Sequence, residues 1–166
     1  MYRGDGFLFI HVPRTGGHSA YQMLGRRAIA GLHTPRSRAG FAQFSFGFMR
    51  NPWGRVYSCY RKQRDIFDKY ENTSFKQYVI ETDDTLGQCQ AMWYLKGCDY
   101  IGKFEHLQED WNHIFDVIGI QHKTVPLVNK VGDAEYQSHY DNEMIDCITE
   151  RHSADIEYGG YCFEPD

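Results

Sequence analysis

A chain of 166 residues that is 42% hydrophobic and 24% charged can bury one core without staples, which excludes global disorder and argues against two stacked domains. Five cysteines (Cys59, Cys89, Cys98, Cys147, Cys162) without a C-x-x-C pair argue against a disulfide framework or a zinc knuckle and fit a reducing compartment. The net charge of −4 joins two opposed halves: residues 1–64 hold eleven Lys/Arg, ten of them Arg, against Asp5 alone, whereas residues 65–166 hold seven bases against twenty-one acids.

In chain order, Phe7 to Val12 is a short aromatic and branched run ended by Pro13 and Gly16-Gly17, the pattern of a buried strand feeding a tight turn. Ser19 is placed to cap a helix running to about Ala30. Phe44 to Met49 is a second strand, stopped by Asn51-Pro52, with Pro52 set to open a helix whose Trp53, Val56, Tyr57 and Tyr60 recur at helical spacing. Residues 74 to 96 hold one or two helices. Tyr100 to Phe104 reads as a third strand, followed by a helix with the stripe Leu107, Trp111, Ile114, Phe115 and Ile118, closed by Gly119. Tyr140, Met144, Ile145 and Ile148 mark one last helix. Strands separated by helices predict parallel pairing through crossovers, hence an α/β fold with a central parallel β-sheet flanked by helices on both faces. The chain lacks repeats, any run near the roughly 18 apolar residues of a membrane helix and a signal-peptide pattern, so one soluble, cytoplasmic domain over 1–166 is expected.

The first turn reads Pro13-Arg14-Thr15-Gly16-Gly17-His18-Ser19. Consecutive small residues let backbone N–H groups converge on an oxyanion, so the turn is chemically a phosphate cradle; the alternative is that Gly16-Gly17 only lets the chain reverse. A second element, Arg50-Asn51-Pro52-Trp53-Gly54-Arg55-Val56-Tyr57-Ser58, starts at the carboxyl end of the second strand, the edge where open α/β sheets bind ligands. Arg55, Ser58 and Arg61 or Lys62 share a helix side opposite the apolar residues and are expected to form an anion clamp, the alternative being a solvated arginine-rich face.

These two segments resemble the nucleotide-binding elements of the sulfotransferases that use 3′-phosphoadenosine 5′-phosphosulfate (PAPS). "FLFIHVPRTGGHS" (Phe7 to Ser19) is similar to their 5′-phosphosulfate loop and "FMRNPWGRVYSCY" (Phe48 to Tyr60) to their 3′-phosphate segment, and the likeness continues through Tyr100 to Ile120, Val128 to Lys130 and Ala154 to Phe163. The resemblance implies a three-layer, P-loop-NTPase-like form of the α/β fold. It implies that Arg14, Thr15, Gly16, Gly17, His18 and Ser19 lie at the 5′ phosphosulfate, and that Arg50 and Ser58 hold the 3′ phosphate. Arg14 stands where the family usually has Lys, and His18 where it usually has Thr or Ser. Arginine keeps the positive charge but releases no proton, and His18 is expected to fill the turn, with a catalytic role as the alternative.

A phosphoryl-transferring P-loop enzyme is the rival, but the loop lacks G-x-x-x-x-G-K-[S/T] and the second strand ends in Arg50 where a magnesium-organising Asp is needed. No metal site is expected. A non-catalytic polyanion-binding module is the third reading. Transfer to an alcohol needs a base, and His33, in the connection between the first helix and the second strand, is the candidate, with a structural histidine as the alternative. Glu105 is either an acid of the site or an anchor for an arginine, and His11 a packing residue. Arg36 and Arg38 either meet an acidic acceptor such as a sugar chain or are simply solvated, and Lys130 is a further candidate for the nucleotide. The expected reaction is in-line attack by an acceptor hydroxyl, carbohydrate among the candidates, on the sulfur of PAPS. His33 would withdraw the proton and Arg14 would stabilise the departing phosphate; neither nucleic acid nor a membrane span is expected as a partner.

Overall fold

Alternation along two neighbouring strands decides where the first core forms, because successive side chains of a strand point to opposite faces of its sheet. The computed structural model describes residues 1–25, 33–82, 88–126 and 136–163. In chain order their elements are β1 (Tyr2–Arg3), β2 (Phe7–Ile10), α1 (Gly17–Met23), β3 (Phe44–Met49), α2 (Pro52–Phe67), α3 (Phe75–Glu81), α4 (Ala91–Leu95), β4 (Tyr100–Lys103), α5 (Leu107–Ile118), α6 (Asn142–Arg151) and α7 (Ser153–Gly159). Short 3-10 turns lie at Arg36–Arg38, Phe104–His106 and Tyr136–His139. The chain divides into two units, Met1–Arg50 with Ala91–Asn129 and Asn51–Gln90 with Lys130–Asp166.

The first unit is a mixed α/β arrangement around a four-stranded sheet of order β1-β2-β3-β4, in which β2, β3 and β4 are parallel and β1 is antiparallel to β2. Phe7 and Phe9 of β2 and Phe46 and Phe48 of β3 share one face, where Ala20 and Met23 of α1 and Leu107, Trp111, Ile114 and Phe115 of α5 cover them. Trp111 meets Phe46 edge-on at 5.6 Å between ring centroids. Gly47, on the other face, lets α4 approach, since a Cβ there would overlap Leu95. Asp110 ties α5 to β4, accepting from the Tyr100 hydroxyl at 2.6 Å and from the Lys103 amide at 2.5 Å.

Several expectations are corrected. The two-residue strand β1 gave no sequence signal, being too short to show alternation, and it makes the sheet mostly rather than wholly parallel. The first helix begins at Gly17 behind a left-handed Gly16 (φ 84°), so Ser19 lies inside it and is not its cap; α1 ends at Met23, and the expected continuation over 26–30 lies outside the described residues. The helix at 142–151 is not the last, because α7 follows it after His152. Among the described residues no helix is long and apolar enough to cross a membrane.

In the second unit, Pro52 opens α2 and the Asn51 side chain caps it by accepting from the Gly54 amide. Trp53, Val56 and Tyr60 pack with Tyr78 and Val79 of α3 and Met144 and Ile148 of α6. The expected two-faced helix is not found: every residue from Pro52 to Tyr60 is buried. Arg55 is fully enclosed, donates through Nη2 to the Cys89 carbonyl and lies 4.0 Å from the Asp155 carboxylate, so its charge answers a carboxylate of its own chain. Arg61 and Arg64 both donate to Asp65 at 2.7 Å.

His152 is likewise buried, with Nδ1 3.5 Å from Asp155 Oδ2. Burial pushes its pKa below the ordinary 6.5; Asp155 opposes that shift, and the charges of Arg55 and Arg151 add to it. The native state therefore holds His152 neutral while the unfolded chain takes up a proton below about pH 6.5, so stability is lost as pH falls from there toward the depressed native value. Thermal melts between pH 7.5 and 5 are expected to show a falling midpoint, and His152→Phe is expected to fall less steeply over the same range; parallel slopes would refute this origin.

Candidate functional site

Because β2 and β3 run parallel with Ile10 opposite Gly47, the residues that follow both strands emerge at one edge of the sheet. After β2 the chain passes His11, Val12 and Pro13 and turns sharply, with Arg14 at φ 65° and Gly16 at φ 84°. The left-handed region is ordinary for glycine and costs a side-chain-bearing residue roughly 1–2 kcal/mol, so Arg14 is held there by its surroundings. The Thr15 hydroxyl donates to the Val12 carbonyl at 2.9 Å, and the Ala20 amide donates to the Gly16 carbonyl at 3.0 Å. A left-handed Gly16 followed by the helical Gly17 is the backbone form that gathers successive amides into a concave anion nest.

Arg50 is the first residue beyond β3. Its guanidinium lies 4.4 Å from the Phe104 ring centroid, and its Nη1 donates to the Arg14 carbonyl at 3.4 Å. Phe104 also stands beside the turn: a Cβ at Gly16 would lie 3.3 Å from Leu107 and 3.5 Å from Phe104. An aromatic face fixes the plane of a guanidinium without neutralising it. The Arg50 guanidinium is thus tied to the backbone of the turn that carries Arg14, which puts at least one fixed cation beside the nest and suits the edge to an anion.

The remaining expected residues are placed as follows. Thr15 and Ser19 are buried, and the Ser19 hydroxyl donates to the Pro126 carbonyl at 2.6 Å, so the protons of both hydroxyls serve the loop's own framework. Gly17 is buried and His18 exposed. His33 is half-buried, with Nδ1 3.1 Å from the His11 carbonyl oxygen. Ser58 is buried on α2 in the other unit, and its assignment stays with the resemblance. Glu105 is exposed in the turn after β4, and Lys130 lies outside the described residues. Arg36 donates to the Ser45 hydroxyl at 3.0 Å and to the Gly40 carbonyl at 3.1 Å, which places it at the start of β3, away from the Arg50 end. Arg38 is exposed.

Sequence reasoning missed Phe104 as a site residue. The sequence pattern alone makes it the end of a strand; the signal available is an aromatic residue directly at a strand's carboxyl end, the same edge as Arg50.

No protein-family model and no solved structure matches the chain. It is 32% identical over 112 residues to a protein of Archaeoglobus fulgidus described only as an uncharacterized protein, across 61% of this chain and 92% of that one. The chain belongs to the same family as this archaeal protein.

Thr15→Val keeps the side-chain volume and removes the donor to the Val12 carbonyl. Urea denaturation is expected to show a loss of about 1–2 kcal/mol, the usual consequence of orphaning one buried polar group. A loss under about 0.3 kcal/mol would mean that the bond does not hold the turn.

Proposed function

We propose that this chain is a PAPS-dependent sulfotransferase of the P-loop-like three-layer α/β form, transferring a sulfuryl group to an acceptor hydroxyl, with carbohydrate among the candidate acceptors. The observation that carries the reading is Arg50 at the end of β3, stacked on Phe104 and bonded to the backbone of the Arg14 turn. A kinase of P-loop type requires an acid there to organise magnesium; a fixed guanidinium instead binds an anion directly.

The residues present fit a nucleotide with separated anionic groups. Arg14 and the amides of the Gly16–Gly17 nest would hold its 5′ end, and Arg50 its second phosphate. Bound there, PAPS would supply an activated sulfuryl group: the acceptor oxygen–sulfur bond forms as the bond from sulfur to the phosphate oxygen breaks, and adenosine 3′,5′-bisphosphate departs. Arg14 and the loop amides stabilise the charge on that phosphate, and Arg14 moves no proton because guanidinium stays protonated. His33 takes the acceptor's proton. A carbonyl oxygen can only accept, so the contact with His11 puts the hydrogen on His33 Nδ1 and the basic lone pair on Nε2.

Adenosine 3′,5′-bisphosphate is expected to raise the melting temperature by about 5 °C at saturating concentration without any divalent cation, and Arg50→Ala to abolish most of that rise. A rise that requires magnesium would favour the kinase reading. Equal, salt-sensitive rises with any polyanion would favour a binding module. With radiolabelled PAPS and a panel of hydroxyl acceptors, His33→Ala is expected to lower turnover about 100-fold or more at unchanged nucleotide affinity. Unchanged turnover would show that another group is the base.

A further inference from the structure

His11, expected from sequence to be a packing residue, meets Phe9 of the strand, Gly17 and Tyr21 of α1, and His33. Its ring is almost fully buried. It stacks on Phe9 at 6.0 Å and 23°, meets Tyr21 edge-on at 5.5 Å and lies 4.6 Å from the His33 ring. The Tyr21 hydroxyl and His11 Nδ1 are 3.2 Å apart. On its other side the ring fills the space where Gly17 lacks a side chain: a Cβ on Gly17 would overlap Nε2, Cδ2 and Cε1 of His11. Gly17 has no positive φ, so backbone freedom is not what this position requires of glycine. The absent Cβ is matched to the imidazole.

We infer that His11 is a positioning residue for both the anion loop and the base: its ring sets the height of Gly17 while, through ring contact and its own carbonyl, it seats His33 with the hydrogen on Nδ1. The steric half of this inference stands on packing alone; the half that concerns His33 as a base rests on the function proposed above. Tyr21 supports the same ring from the helix side, and burial pushes its phenol up to about 12, so it remains a protonated hydrogen-bonding partner at neutral pH. One side chain thereby couples elements that emerge from different parts of the chain: the strand end, the first turn of α1 and the connection that carries His33.

The test is a double-mutant cycle on the full chain. Gly17→Ala is expected to lower the melting temperature by about 5 °C or more, as overpacking a closed site does. His11→Ala opens the space, so the double variant is expected to melt above the sum of the two single losses by at least half of the Gly17→Ala deficit. Strict additivity would overturn the pairing whether or not any nucleotide binds. For the second half, His11→Ala keeps the backbone carbonyl and removes the ring that holds His33 against it, so nitrogen-15 NMR of the imidazoles is expected to show His33 protonated at Nδ1 in the native chain and a mixture of both tautomers in His11→Ala. His11→Phe, which puts an aromatic ring in the same place, is expected to hold His33 near its native form. An unchanged His33 tautomer in His11→Ala would show that the carbonyl alone suffices and would overturn the positioning role of the ring. The thermal shift given by adenosine 3′,5′-bisphosphate to the unsubstituted chain, recorded alongside, reports separately on the sulfotransferase reading.

Discussion

Parallel pairing of β2 with β3 is the constraint on which the candidate site depends. Backbone hydrogen bonding between these strands makes their ends coincide, and a guanidinium 36 residues further along the chain thereby reaches the carbonyl of Arg14. In an antiparallel pair the loop after one strand would face the start of the other, and Arg50 would point to the opposite edge. The aromatic packing of Phe9 and Phe46 on the covered face holds the register, since a slip of one residue would turn the phenylalanines outward.

Charge asymmetry in the sequence is real, but five of the ten arginines in residues 1–64 serve the chain's own structure. Arg3 donates to the carbonyls of Phe41 and Ala39, Arg36 secures the start of β3, Arg55 is enclosed beside Asp155, and Arg61 and Arg64 meet Asp65. An arginine count thus overstates the anion-binding surface, because guanidinium is also the side chain best suited to tie several carbonyls at once. Arg14 and Arg50 differ by position: both follow a parallel strand, and both stand at the turn whose amides converge.

Strand β3 and the helices opened by Pro52 and closed by Gly119 were legible because hydrophobic period, proline at a first helical position and a left-handed glycine are local signals. Ser19 shows the limit of such reading. A serine beside a glycine turn has the signature of a cap, yet the helix starts earlier and the hydroxyl reaches Pro126, more than 100 residues away. Arg55 shows it again: helical periodicity separates two faces, but it does not say that both will be covered.

The sequence alone determined the alternation of strand and helix, the glycine-rich turn and the arginine that closes β3, because each is set by neighbours within a few residues. Tertiary structure alone decided which arginines remain at the sheet edge, that Phe104 lies under Arg50 and that Gly17 accommodates His11. Those outcomes depend on which surfaces meet when distant segments pack, and complementarity between side chains far apart in the chain leaves no periodic trace in it.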